Sequence, residues 1–306
     1  MSSHWIIGPG AIGRLLAHSL SPVAAVTLVG RRELAERQTL TSPVGEPHTQ
    51  RLNGVTLEQL LRDAPAPPAF VHITTKAMSA QAALESLAGV ISPTTPIVLW
   101  QNGFLAQPRI TQAWPGPVLC ATTTEGAYVN GEACVVHAGR GHTFIGDLNN
   151  RHAELAKNLA LQLTHAGLAA TPVEDIRRRL WQKLAVNAAV NPLVARYRIR
   201  NGQLRDRPFR LYVEAVIEEV AGILDKEGIA PPSGAGLEGW RTLVWQVVEN
   251  TANNRASMFQ DVLAGRPTER AAILGPLIDN AKRHQLPCEQ LVALDQALEN
   301  IEAQLS

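Results

Sequence analysis

Lys183, Asn187 and Asn191 recur at i, i+4 and i+8 within RRRLWQKLAVNAAVNPLVA, a spacing that sets an ammonium and two carboxamides on one helix face. Their neighbours Leu184, Val186, Ala188, Ala189 and Val190 are apolar, so the stripe faces a cleft or an interior where each polar group needs a partner. A solvated lysine beside asparagines that bond the backbone fits the same spacing, and the stripe alone leaves both readings open. A second constellation stands at the start of the chain. Gly8, Gly10 and Gly13 in HWIIGPGAIG form GxGxxG between a strand-like and a helix-like run. In that setting the first glycine makes a sharp turn, the second lets a pyrophosphate approach the backbone, and the third packs helix against strand. The turn through Ala11 and Ile12 then aims unpaired N–H groups and the positive end of the helix dipole at an anion over the loop. A dinucleotide phosphate suits this site, and a glycine turn without ligand is the plain alternative.

The next strand-like run, Ala25 to Val29, ends in Gly30-Arg31-Arg32 and not in the Asp or Glu that accepts hydrogen bonds from a ribose 2′-hydroxyl. A guanidinium binds phosphate in a forked geometry, so Arg31, with Arg32 beside it, favours the 2′-phosphate of NADP over NAD. Solvated loop arginines with Glu33 as a displaced acid are the competing reading.

These groups must be positioned by regular elements. Strand-like runs follow at Ala69 to Thr74, Pro96 to Trp100 and Val118 to Thr122, with helix-like segments at Ala77 to Leu87 and Ala106 to Trp114 between them. Such alternation predicts an α/β Rossmann-like, doubly wound parallel sheet. The strip from Thr41 to Pro68 reads as a compressed connection with at most one short strand and one short helix. Short strands at Cys134 to His137 and His142 to Ile145 are expected to close the sheet with an antiparallel addition, before a helix from Arg151 to His165. From about Val173 the period changes to 3.6, with helices expected at Asp175–Val190, Pro208–Glu227, Leu237–Asn254, Thr268–His284 and Glu289–Gln304. The chain therefore divides into a Rossmann-like domain over 1–171 and an all-α C-terminal domain over 172–306.

At 306 residues, 45% hydrophobic and 18% charged, the chain is long enough for two cores. A net charge of +1 without long charge blocks gives no footprint for nucleic acid or an anionic membrane, which leaves a small-molecule partner. Cys120, Cys134 and Cys288 are distant and odd in number, so neither a metal site nor a disulfide framework is expected. No leader-like or spanning apolar run is present, so a cytoplasmic location is expected. The apolar faces of the helical half, with Trp240 and Trp245, would permit a homodimer.

Five separated motifs give the chain a family likeness: the GxGxxG loop, Thr75-Lys76, Gln101-Asn102-Gly103, KLAVNAAVNP and TANNRASMFQDVLAGRPTE. In this order and over nearly the whole chain they resemble the ketopantoate reductase family. The resemblance implies NADPH-dependent reduction of 2-dehydropantoate (ketopantoate), a 2-oxo acid, to D-pantoate in pantothenate and coenzyme A synthesis, at a site between a Rossmann and a helical domain. It implies Lys183 as the catalytic lysine, donating a proton to the C2 oxygen as hydride arrives, and charge developing on that oxygen is what a positioned ammonium stabilises. Glu269 matches the family's active-site glutamate, although Pro267-Thr268-Glu269 also reads as a helix start where a carboxylate suits the dipole. Ser257 matches the serine that takes the substrate carboxylate, and Asn187 and Asn191 match amides that hold the substrate. Asn201, in an Asn-Gly that is also an ordinary turn, matches another. Lys76 and Asn102 each follow a strand, where ligands sit in open α/β sheets. The resemblance places Lys76 at the cofactor, beside the glycine loop of Gly8, Gly10, Ala11, Ile12 and Gly13, and Asn102 at both nicotinamide and substrate, while Arg31 joins the cofactor residues on its own chemistry.

The chain departs from the family after Glu269. Where an apolar residue, an aspartate and then an Asn-Gly pair are usual, it reads Glu269-Arg270-Ala271-Ala272-Ile273-Leu274-Gly275. Arg270 is expected either to pair with an acid or to offer a second anion site. The departure keeps a reductase of another 2-oxo acid open beside ketopantoate. A non-catalytic NADP(H)-binding sensor is the third reading, and the joint presence of Lys183, Asn187, Ser257 and Glu269 argues against it.

Overall fold

The computed structural model describes residues 2–63 and 65–304. The chain forms two compact units, one comprising residues up to 101 with 106–176, the other 102–105 with the chain from 177 onward.

The first unit contains β1 (Ser3–Ile7), α1 (Ala11–Leu20), β2 (Ala25–Gly30), β3 (Arg37–Thr41), β4 (Pro47–Arg51), β5 (Gly54–Thr56), α2 (Leu57–Asp63) and β6 (Phe70–Ile73). It continues with α3 (Ala77–Glu85), β7 (Ile97–Leu99), α4 (Ala106–Ala113), β8 (Val118–Thr123), β9 (Gly126–Val129), β10 (Cys134–Gly139), β11 (Thr143–Gly146), α5 (Ala153–His165) and β12 (Ala170–Pro172). Eight strands form one sheet in the order β12-β11-β8-β7-β6-β1-β2-β5. All neighbours are parallel except β11, which runs antiparallel to β8. From β1 the chain winds outward to β2 and β5, then returns through β6 on the other side of β1. Strand order therefore reverses between β1 and β6, whose last residues Ile7 and Ile73 are paired, and this is where a doubly wound sheet binds ligands.

Strands β6, β7 and β8 are buried along their whole length, which is why they read as continuous apolar runs and not as alternation. Ile6, Leu28, Val98 and Leu119 share a core with Leu16 and Leu20 of α1 and with Leu159 and Leu163 of α5. Several rings of the unit are linked in a chain of hydrogen bonds. Trp100 Nε1 donates to His72 Nδ1 at 3.0 Å, the His72 and His4 rings share a 2.9 Å bond, and His4 Nε2 meets Gln162 Oε1 at 2.9 Å.

Two expectations are corrected here. The strip from Thr41 to Pro68 is not a simple connection, since it carries β4, β5 and α2. The strand at Cys134–Gly139 does not join the main sheet. It belongs to a second sheet in the order β4-β3-β10-β9. That sheet packs on α1 and partners its buried polar residues: Arg14 donates to the Glu132 carbonyl, and Gln50 Nε2 donates to His18 Nδ1 and O at 3.0 Å each. The sequence of β4, Pro-His-Thr-Gln-Arg, has no apolar period, so only pairing with β3 defines it. Ala170–Pro172 pairs with β11 as an edge strand, and the first unit runs to residue 176.

The second unit is helical: α6 (Ile176–Tyr197), a 3-10 turn (Asn201–Arg205), α7 (Phe209–Lys226), α8 (Gly236–Asn250), α9 (Ser257–Leu263), α10 (Arg270–Ile273), α11 (Gly275–His284) and α12 (Glu289–Ala303). Helix α6 runs on through Pro192 to Tyr197 and does not stop at Val190. Pro192 removes one backbone N–H, and apolar contacts of Ala188, Leu193 and Val194 in the core hold the helix regardless. The expected helix over Thr268–His284 is divided by Gly275-Pro276 into α10 and α11. Trp240 lies in the core, while half-buried Trp245 bonds Glu214 at 2.8 Å with Arg210 over its ring. Among the described residues no helix is long and apolar enough to cross a membrane.

Candidate functional site

In the Rossmann unit the glycine loop joins β1 to α1. Gly8 has φ +112°, and a Cβ there would stand 2.8 Å from Thr75 N, so the loop lies directly on the end of β6. A Cβ on Gly13 would stand 2.1 Å from the Gly8 carbonyl oxygen, which shows how closely α1 is seated on the loop. Thr74 Oγ1 fastens the same carbonyl at 2.8 Å. Gly10, at the N-cap of α1, has nothing within 4 Å of its Cβ position and is exposed, so the first N–H groups of α1 open onto free space. Ala11 and Ile12 form the first turn and are half-buried. Thr75 Oγ1 is buried without a partner beside this space. A pyrophosphate fits these features: open backbone donors, a dipole end and an orphaned hydroxyl. Lys76 is exposed at the N-cap of α3, and Arg31 is exposed immediately after β2. In the sequence Thr75 enters only as part of the Thr75-Lys76 motif, and Thr74 has no role in the site. Two threonines at the carboxyl end of a buried strand were the available signal.

The helical unit gathers its polar groups from five stretches of chain. Gly103 has φ +83°, and its Cβ position lies 2.1 Å from the Ala272 carbonyl oxygen. Only glycine lets this segment lie on α10, where Phe104 N bonds Ala272 O at 3.2 Å and its ring meets Trp181 at 5.0 Å between centroids. That contact delivers Asn102, whose Nδ2 donates to Glu269 Oε2 at 3.2 Å. Glu269 is 7% exposed, and its carboxylate also acts on Lys183. Desolvation pulls the half-buried Lys183 ammonium from its usual 10.5 down to about 8, and the negative charge of Glu269 opposes the fall. The ammonium is thereby placed near neutral pH, where a proton donor works.

One helical turn after half-buried Asn187 on α6, Asn191 is buried and directs Nδ2 toward Ser257 Oγ at 3.5 Å. Ser257, exposed at the start of α9, leaves its hydroxyl available to an anion. Asn201 is buried beside the segment that precedes α9. Its Nδ2 donates to Thr251 Oγ1 at 2.9 Å, while its Oδ1 has no partner. Arg270 does not form an anion site. It pairs with Asp295, Glu299 and Glu302 of α12 at 2.8, 2.9 and 3.1 Å.

A doubly wound sheet with a glycine loop at its switch point, followed by a helical unit, is the architecture of a dinucleotide-binding protein, and here the helical unit carries a perturbed lysine near a buried carboxylate. Comparison with known proteins makes the class specific. The family described as Ketopantoate reductase PanE/ApbA matches residues 5–150, and its C-terminal part matches residues 175–302. The 2-dehydropantoate 2-reductase of Vibrio cholerae is 32% identical over 97% of both chains. The chain belongs to the ketopantoate reductase family. A PanE/ApbA family ketopantoate reductase from Ralstonia eutropha superposes with TM-score 0.87 over 99% of both chains at 20% identity. D-mandelate dehydrogenase with NADH and anilino(oxo)acetate shares the fold with TM-score 0.86 over 99% of both chains at 21% identity.

Proposed function

We propose that the protein reduces 2-dehydropantoate to D-pantoate with NADPH, and that Lys183 is the proton donor. The observation that carries the mechanism is the desolvated Lys183 ammonium under the charge of the buried Glu269 carboxylate, which Asn102 fixes by a hydrogen bond. The family and the name of the Vibrio cholerae relative support the substrate. The reduced nicotinamide supplies the hydride when bound. As charge builds on the C2 oxygen, Lys183 Nζ donates a hydrogen bond and then its proton. Glu269 keeps the ammonium charged and is itself fixed by Asn102. Ser257 Oγ, with Asn191 behind it, and Asn187 bind the carboxylate end. Asn201 has its amide nitrogen occupied by Thr251 and offers only its oxygen, an acceptor suited to a substrate hydroxyl.

In the Rossmann unit Gly8, Gly10 and Gly13 with the N–H groups of Ala11 and Ile12 hold the pyrophosphate, and Lys76 adds a cation. Arg31, at a strand end without a carboxylate, takes the 2′-phosphate and sets the preference for NADPH. Purified protein should oxidise NADPH on addition of ketopantoate, faster than NADH at equal concentration. Absence of turnover on ketopantoate overturns the substrate assignment. A second reading, reduction of a different 2-oxo acid, is favoured by one feature, the Arg270-Ala271-Ala272 stretch that replaces the family's usual residues after Glu269. A panel containing ketopantoate, 3,3-dimethyl-2-oxobutanoate and phenylglyoxylate decides between the two.

A further inference from the structure

Glu269 is gripped from both sides. Thr268, before it, directs its backbone N–H at 2.8 Å and its hydroxyl to Glu302 Oε1. Arg270, after it, directs Nε to the other oxygen of the same carboxylate at 3.1 Å. The remaining guanidinium nitrogens reach Asp295 Oδ1 at 2.8 Å and Glu299 Oε1 at 2.9 Å. The three acids stand at i, i+4 and i+7 on α12 and so share one face. Arg270 is only 19% exposed, which places these ion pairs outside the weak, fully solvated class. Helix α10 has four residues, too few to stiffen the backbone on its own. The direction of the Glu269 side chain, toward Asn102 Nδ2 and Lys183, therefore depends on an anchor outside α10.

We infer that Arg270 and Glu302 are positioning residues: they tie the chain on either side of Glu269 to α12 and thereby set the reach of its carboxylate to Lys183 and Asn102. The inference rests on the roles given to Lys183 and Glu269 above. It also assigns work to Arg270, the residue at which this chain leaves its family's pattern.

The test uses the full chain with Arg270→Met and the milder Glu302→Gln, which keeps a carbonyl oxygen for Thr268. Both should lower kcat for NADPH-dependent reduction about tenfold, since small misplacements of a catalytic constellation have effects of that order or more, with KM for NADPH unchanged. The alkaline fall in kcat should move to lower pH, because a withdrawn carboxylate no longer holds the Lys183 ammonium up. Arg270→Lys, with one ammonium in place of a fork, should recover part of the loss. In a Glu269→Gln background Arg270→Met should cost nothing further, the mark of two residues acting through one group. Titration of labelled Lys183 by NMR, without substrate or cofactor, should show the same downward shift in both variants. Wild-type kcat and an unchanged Lys183 titration in both overturn the inference, as does a full additional loss in the Glu269→Gln background. If the wild-type protein reduces no 2-oxo acid the functional reading fails, and the Lys183 titration still decides the clamp.

Discussion

The glycine loop of the Rossmann unit and the polar cluster of the helical unit are made from different materials. The loop is backbone: Gly8, Gly10 and Gly13 lie within six residues of one another, and each acts by lacking a side chain. The cluster is side chains, with Asn102, Lys183, Asn191, Ser257 and Glu269 drawn from across the sequence. At Gly8 and Gly13 the site made of backbone tolerates no added atoms, whereas a site made of side chains tolerates truncation in its fold but not in its chemistry.

The largest effect should come from the cluster. Lys183→Ala should lower kcat by roughly 10²-fold or more while the Kd for NADPH stays within about twofold. In the wild type, kcat should fall as pH rises through about 8, where the ammonium is lost. Loss of cofactor binding in this variant would break the division of labour between the units. Gly13→Ala should invert the pattern. Its Cβ would collide with the Gly8 carbonyl, so the expected result is a stability loss of about 1–3 kcal/mol in urea unfolding and NADPH binding weakened about tenfold or more.

Acid should distinguish the units next. Burial depresses His18 from 6.5 to about 4, and His4 and His72 are also lowered by burial. The unfolded chain takes up protons below about 6.5 while native His18 stays neutral until about 4. Its contribution is complete above 6.5 and is lost as pH falls from there to 4, by up to about 3 kcal/mol. The helical unit's histidine is His284, which pairs with Glu227. Hydrogen exchange at pH 5 should therefore show the Rossmann unit opening before the helical one, and His18→Gln should flatten the dependence. The smallest effect should be that of Arg31→Ala, which should lower the NADPH over NADH preference roughly tenfold with little change in stability. An unchanged preference would move 2′-phosphate recognition away from Arg31.

Legibility followed the same division. The ends of β2, β6 and β8 could be read to within a residue or two, because buried parallel strands have strong local periods. The second sheet was missed. Its strand β4 is exposed and polar, and its strands come from separate parts of the chain. In the helical unit, the spacing of Lys183, Asn187 and Asn191 revealed a stripe, but not that Glu269 and Asn102 converge near it. Arg270 was visible as an oddity that could pair with an acid, while nothing local singled out Asp295, Glu299 and Glu302 as its partners.

The sequence by itself determined the glycine loop, the alternation that builds the parallel sheet, the helical second half and the family to which the chain belongs. Each is written in contiguous residues whose steric needs or periods act over a few positions. Tertiary structure decided which carboxylate meets Asn102, how far Lys183 is desolvated, and that Arg270 turns to α12. Those outcomes depend on burial and on approach between distant segments, and hydrogen-bond geometry and desolvation act across space without regard to separation along the chain.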